Sequence, residues 1–136
     1  MAMTNEEKYA KWLENAREDL VTAEVMLHNG RYSYVAFMCE QALEKLAKGI
    51  FVFLFEKEAP FTHNINAIIK DFDAIVNDKK YEEYEFLFSK LTSYYIIGRY
   101  DVYKQQMAQS LDQKACDILL TQTKEAFVWL QSQVKP

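Results

Sequence analysis

Apolar positions recur along the chain at three- and four-residue intervals, the spacing of helices that bury one face. The run Ser33 to Phe55, SYVAFMCEQALEKLAKGIFVFLF, carries this pattern furthest. At about 100° per residue, Glu40, Gln41, Glu44, Lys45 and Lys48 share one arc of about 140°, while Val35, Met38, Cys39, Ala42, Leu43, Leu46, Ala47 and Ile50 fill the rest. One turn later Phe51, Val52 and Phe55 occupy the arc that was polar, so the second half is apolar nearly all round. Such a helix needs neighbours on several faces, either other helices of a bundle or a second subunit.

The flanking segments supply those neighbours. Thr4-Asn5-Glu6-Glu7 reads as a capping box that opens a first helix with Trp12, Leu13, Ala16, Leu20, Ala23 and Leu27 on its apolar stripe. Asn29-Gly30 ends it, and Ser33 is the expected cap of the central helix, which makes the first two helices antiparallel. Beyond a charge cluster and Pro60, Thr62 and His63 open a short third helix with the stripe Ile65, Ile68, Ile69, Phe72 and Val76, closed by Asn77-Asp78. A fourth, aromatic-rich helix runs from about Tyr81 to near Gly98. The polar and aromatic stretch Arg99 to Lys104 then precedes Ser110-Leu111-Asp112-Gln113, a second capping-box pattern that starts the last helix. The expected architecture is all-α: an up-and-down antiparallel four-helix bundle with an additional short helix, as a single domain over residues 1–136.

Composition narrows this further. Three Gly and two Pro are too few for a many-stranded β protein, and 50% hydrophobic content argues against disorder. A net charge of -4 leaves no global footprint for DNA or RNA, so any phosphate binding must be local. Cys39 and Cys116 lie in apolar helical patterns without a CxxC spacing or a nearby His, and read as reduced core residues; neither a metal nor a cofactor is expected. The longest apolar run, Gly49 to Phe55, falls far short of the ~20 residues of a membrane span, and no leader pattern precedes it; a cytoplasmic protein is expected.

Several motifs resemble one known family. Ala16-x-x-Asp19-Leu20-x-x-Ala23 and Asn29-Gly30-Arg31-Tyr32 are followed by Ala36-Phe37-x-Cys39-Glu40-Gln41-Ala42-x-Glu44-Lys45-x-x-Lys48. With Thr62-His63-Asn64-Ile65 and Tyr95-x-x-x-Arg99-Tyr100, they look like a HEPN domain over nearly the whole chain. The resemblance implies a five-helix domain, commonly a homodimer, often encoded beside a nucleotidyltransferase and associated with nucleotide or RNA chemistry. Many relatives are metal-independent ribonucleases or toxins of toxin-antitoxin pairs. Those that cleave RNA carry an Arg and, a few residues on, a His, from both subunits, in a cleft at the dimer interface. Here Arg99 matches the Arg, but Lys104, Gln105 and Gln106 stand where the His would be, and His28 and His63 both lie upstream.

That departure has chemical weight. Activating a ribose 2′-OH needs a group that exchanges protons near neutral pH, which imidazole does with an ordinary pKa of about 6.5 and an ammonium, at about 10.4, does not. Lys104, like Arg99, suits holding a phosphate. Arg99, Tyr100, Asp101, Tyr103 and Lys104 together can pair a phosphate and stack a base; equally, they can cap helix ends and cover apolar edges. Glu44, Lys45 and Lys48 make either a solvated arc with a favourable i,i+4 pair or, facing a dimer cleft, part of a positive site with Arg99. His63 reads as a hydrogen-bonding residue at a helix start or as a base brought in from elsewhere in the fold. In some relatives a tyrosine just beyond the catalytic motif accepts a nucleotidyl group, a role the resemblance would give to Tyr103. Three functions follow: a nucleotide- or RNA-phosphate-binding module with a partner nucleotidyltransferase or another effector, a ribonuclease with a nonstandard base, either Lys104 or His63, or a dimerisation domain.

Overall fold

The long central helix, α2 (Tyr32–Phe55), touches every other long helix of the chain: α1 (Asn5–His28), α5 (Lys79–Ile97) and α7 (Gln113–Ser132). These four pack as a bundle in a computed structural model that describes residues 2–135, with Asp101 described by its backbone alone. Three shorter helices, α3 (Ile65–Ile69), α4 (Asp73–Val76) and α6 (Asp101–Ser110), fill the connections, and no strand occurs among the described residues. The all-α bundle expected from the hydrophobic period is the observed one.

Its start follows the capping logic closely. The Thr4 hydroxyl accepts from the Glu7 N–H while the Glu7 carboxylate accepts from the Thr4 N–H, closing a capping box. Asn29 ends α1, and Gly30 takes the left-handed φ of 71° that lets the chain reverse into α2 within three residues. Ser33 does not cap α2. The N-cap is Arg31, without a side-chain bond, because helical hydrogen bonds already begin at Tyr34 N–H to Arg31 C=O, leaving Ser33 inside the first turn.

The α2 core positions Val35, Cys39, Leu43, Leu46 and Ile50 are inaccessible, as are Ala16 and Ala23 of α1, whose small side chains let the two helices approach closely. The tightest point is Gly49: a Cβ there would lie 2.7 Å from the Cβ of Trp12. Both cysteines are buried free thiols, and burial is the first cause that pushes Cys39 up to about 12 and Cys116 to about 11.

Two expectations need correcting. The short third helix is two, because Lys70–Phe72 leave the helical path between α3 and α4, and α3 is capped by Asn64, whose side chain accepts from the Ala67 N–H, rather than by Thr62 or His63. The stretch from Arg99 is not merely a connector either. It leads into α6, and the last helix is capped by Asp112, which accepts from the Ala115 N–H, while Ser110 ends α6 by donating to Met107 C=O.

Candidate functional site

The polar arc of α2 is not a solvated face. Glu40 is 0% and Glu44 4% exposed, and the loop that returns from the end of α2 brings His63 onto Glu44. Lys48 Nζ donates to Glu44 Oε2 at 3.0 Å, and His63 Nδ1 lies 3.0 Å from Glu44 Oε1. On the other side of the imidazole, the Tyr95 hydroxyl lies 3.3 Å from Nε2, and the two rings are 4.4 Å apart. The Arg99 guanidinium sits 5.8 Å from the Tyr95 ring centroid, and Phe37 stacks on that ring at 5.5 Å. Tyr95 is thus the shared neighbour of His63 from the loop, Arg99 from the end of α5 and Phe37 from α2.

The electrostatics divide the two glutamates. Burial would raise the Glu44 carboxyl, but hydrogen bonds from Glu40, Lys48 and His63, with the charge of Lys48, outweigh it and hold the group below the usual carboxylate value. Burial, then the hydrogen bond to Glu44 and its negative charge, push Glu40 up to about 9. Gln41 Nε2–H donates to Glu40 Oε2 and no protein donor reaches Oε1, so this buried site favours the uncharged acid. An ionised Glu44 orients the imidazole by taking its Nδ1–H, which turns Nε2 toward the Tyr95 hydroxyl. His63 is 46% exposed along its side chain, so a ligand that displaces the Tyr95 hydroxyl reaches Nε2.

The other expected site residues distribute around this centre. Lys45 turns away from it, with Nζ 2.8 Å from Asp19 Oδ2 of α1 in a contact aligned as an ion pair rather than as a hydrogen bond. Lys104 lies 5.4 Å from the ring centroid of Tyr34 and lines a small recess of about 160 Å³ with Phe37, Tyr94 and Met107. Phe37 therefore borders both the Arg99 and the Lys104 groups. Tyr100 and Tyr103 meet edge to face at 6.4 Å and are 60% and 53% exposed. The Asp101 side chain is outside the described residues. A wider recess of about 580 Å³ between α5 and α7, bordered by Tyr84 and Trp129, shares none of these residues.

Glu44, Lys48, His63 and Arg99, candidate site residues in the sequence, are thus joined by three that stood there only as motif residues: Tyr95, Phe37 and Glu40. Two of these had a readable signal. Tyr95 stands one helical turn before Arg99, and Glu40 one turn before Glu44, so each pair shares a face. Among the described residues no group of three or more His, Cys, Asp or Glu side chains is arranged to hold a metal ion, and no helix is long and apolar enough to cross a membrane.

A bundle of this order, with its polar centre on the second helix, is matched over residues 9–133 by the HEPN domain model, and the chain belongs to the HEPN family, which often pairs with nucleotidyltransferases. Its fold is similar to that in the crystal structure of TT1696 from Thermus thermophilus, with a TM-score of 0.75 over 93% of this chain and 98% of that one. At 22% identity that likeness is one of fold. No curated protein matches the sequence.

Proposed function

We propose that this HEPN protein is a cytoplasmic nucleotide- or RNA-phosphate-binding module, homodimeric, that works with a separately encoded nucleotidyltransferase or another effector. The observation that carries the reading is the exposed Arg99 guanidinium over Tyr95, whose hydroxyl meets the accessible imidazole of His63. A guanidinium grips phosphate oxygens in pairs, and the aromatic faces of Tyr95 and Phe37 offer a base a stacking surface. Lys104, reached through Phe37, adds a second cation for a neighbouring phosphate. Exposed apolar side chains of the same region, Tyr34, Phe37, Ile96, Tyr100 and Val102, support a dimer built over it. Addition of a short oligoribonucleotide should shift the ring-proton resonances of His63 and Tyr95 in the wild type and leave them in place in Arg99→Ala. Shifts confined to other residues would contradict the reading.

The Glu44–His63 contact favours a second reading, metal-independent RNA cleavage. His63 Nε2 would take the proton of a ribose 2′-OH as its oxygen bonds to the adjacent phosphorus. The P–O5′ bond breaks, and the leaving oxygen takes a proton from water, giving a 2′,3′-cyclic phosphate and a 5′-hydroxyl. Glu44 would hold the ring and stabilise the imidazolium, and Arg99 would neutralise the phosphate. RNA cut in the presence of a chelator by the wild type, and left intact by His63→Gln, is the expected sign; intact RNA at excess wild-type protein would eliminate this reading and leave the binding module.

A further inference from the structure

Lys48 has a second neighbourhood. Besides its bond to Glu44, it lines a cleft of about 420 Å³ with Lys8 and Trp12 of α1 and with Lys57, Glu58 and Phe61 of the loop after α2. That volume lies in the range of small-molecule sites. Three lysines and one glutamate line it, in a chain whose net charge is -4, and of the three Lys48 is paired with Glu44. An adjoining recess of about 340 Å³ shares Lys8 and Trp12 with it and adds Lys11. Gly49 lets the base of the half-buried Trp12 side chain pass close to the backbone of α2. Phe61, at the rim, is fully exposed at 107% and forms no ring pair with another aromatic among the described residues. The cleft thus offers a half-buried aromatic face, an exposed ring and clustered cations.

We propose that this cleft is a second binding site, distinct from the Arg99 face, for an organic phosphate that carries a flat aromatic ring, that is, a nucleoside phosphate. Its phosphates lie on Lys8, Lys48 and Lys57, and its ring lies on Trp12 with Phe61 as the second aromatic contact. A phosphate on Lys48 competes with Glu44 for the ammonium, so occupancy is felt at His63 through the shared carboxylate. That link makes the cleft an input to the Arg99 face and rests on the function proposed for it.

Trp129→Phe leaves Trp12 as the sole tryptophan, so ligand binding can be followed by its fluorescence in the full chain, with ATP and inorganic pyrophosphate as probes. ATP should quench Trp12 saturably, and pyrophosphate, lacking a ring, should bind at least tenfold more weakly. Lys8→Glu and Lys57→Glu, both at exposed positions, should each weaken ATP at least tenfold with the circular dichroism unchanged. Phe61→Ala should weaken ATP and leave pyrophosphate as it was. Arg99→Ala should bind ATP at Trp12 like the parent, and ATP should still move the His63 ring resonance in that variant. No quench at millimolar ATP, or a quench insensitive to both lysine reversals, overturns the second site. A quench lost in Arg99→Ala also overturns it, but places ATP on the Arg99 face and leaves the proposed function standing. An unmoved His63 resonance overturns the link between the sites.

Discussion

Glu44 Oε1 lies 3.0 Å from His63 Nδ1, joining the middle of α2 to a loop 19 residues further along the chain. The same carboxylate receives Lys48, so one buried side chain fastens the loop, orients the imidazole and neutralises an ammonium. Three consequences of that arrangement and of the packing beside it can be measured.

Glu44→Gln keeps the volume but removes the charge that both partners need. Lys48 retains some access to water at 13% exposure, which softens the penalty of leaving it unpaired. A loss of about 2 kcal/mol in urea unfolding is expected, with broadened His63 resonances as the ring loses its anchor. A variant as stable as the wild type would show that the contact contributes nothing to holding the loop.

Glu40 and Glu44 bias stability in opposite directions with pH. The folded chain holds a proton on Glu40 up to about 9, whereas an unfolded chain releases it near 4.5, so this group lowers stability as pH rises across that window. Glu44, whose folded value is depressed, stabilises above its unfolded value and loses that contribution as pH falls through the folded one. Glu40→Gln removes the first effect while its amide can still donate to Glu44. Relative to the wild type, the variant should therefore gain stability from pH 5 to pH 8, by at most about 1.4 kcal/mol per pH unit. Parallel stability curves would contradict a protonated Glu40.

Gly49→Ala should destabilise, although alanine favours a helix by about 1 kcal/mol over glycine. The added carbon would stand 2.7 Å from Trp12 Cβ, an atom that cannot swing aside without moving α1. A net loss of about 1–2 kcal/mol is expected by chemical denaturation, with a shifted tryptophan emission. A stabilised variant would mean that the helices separate easily.

The bundle was legible because its long helices carry strong apolar stripes, and the caps at Thr4 and the Asn29-Gly30 turn were legible because they are local chemistry. Helix α6 was not: its sequence DVYKQQMAQS has no apolar stripe, and Met107 is its buried side chain among the described ones. Asp112 outcompeted Ser110 as a cap, a choice between two adequate oxygens that the flanking helix decides. At the site, the sequence marked Arg99, His63, Glu44 and Lys48 and paired Glu44 with Lys48. What it could not reveal was that His63 bridges Glu44 to Tyr95, the neighbour of Arg99, since a loop's return path is tertiary and leaves no periodic trace.

The most direct measurement is calorimetric titration of a short RNA, at a concentration where light scattering reports the dimer, into folded wild type and folded Arg99→Ala. Binding by the wild type that weakens at least tenfold in the variant, about 1.4 kcal/mol, is the result expected of a phosphate site at the end of α5. Equal binding by both proteins, or binding by neither, would contradict it.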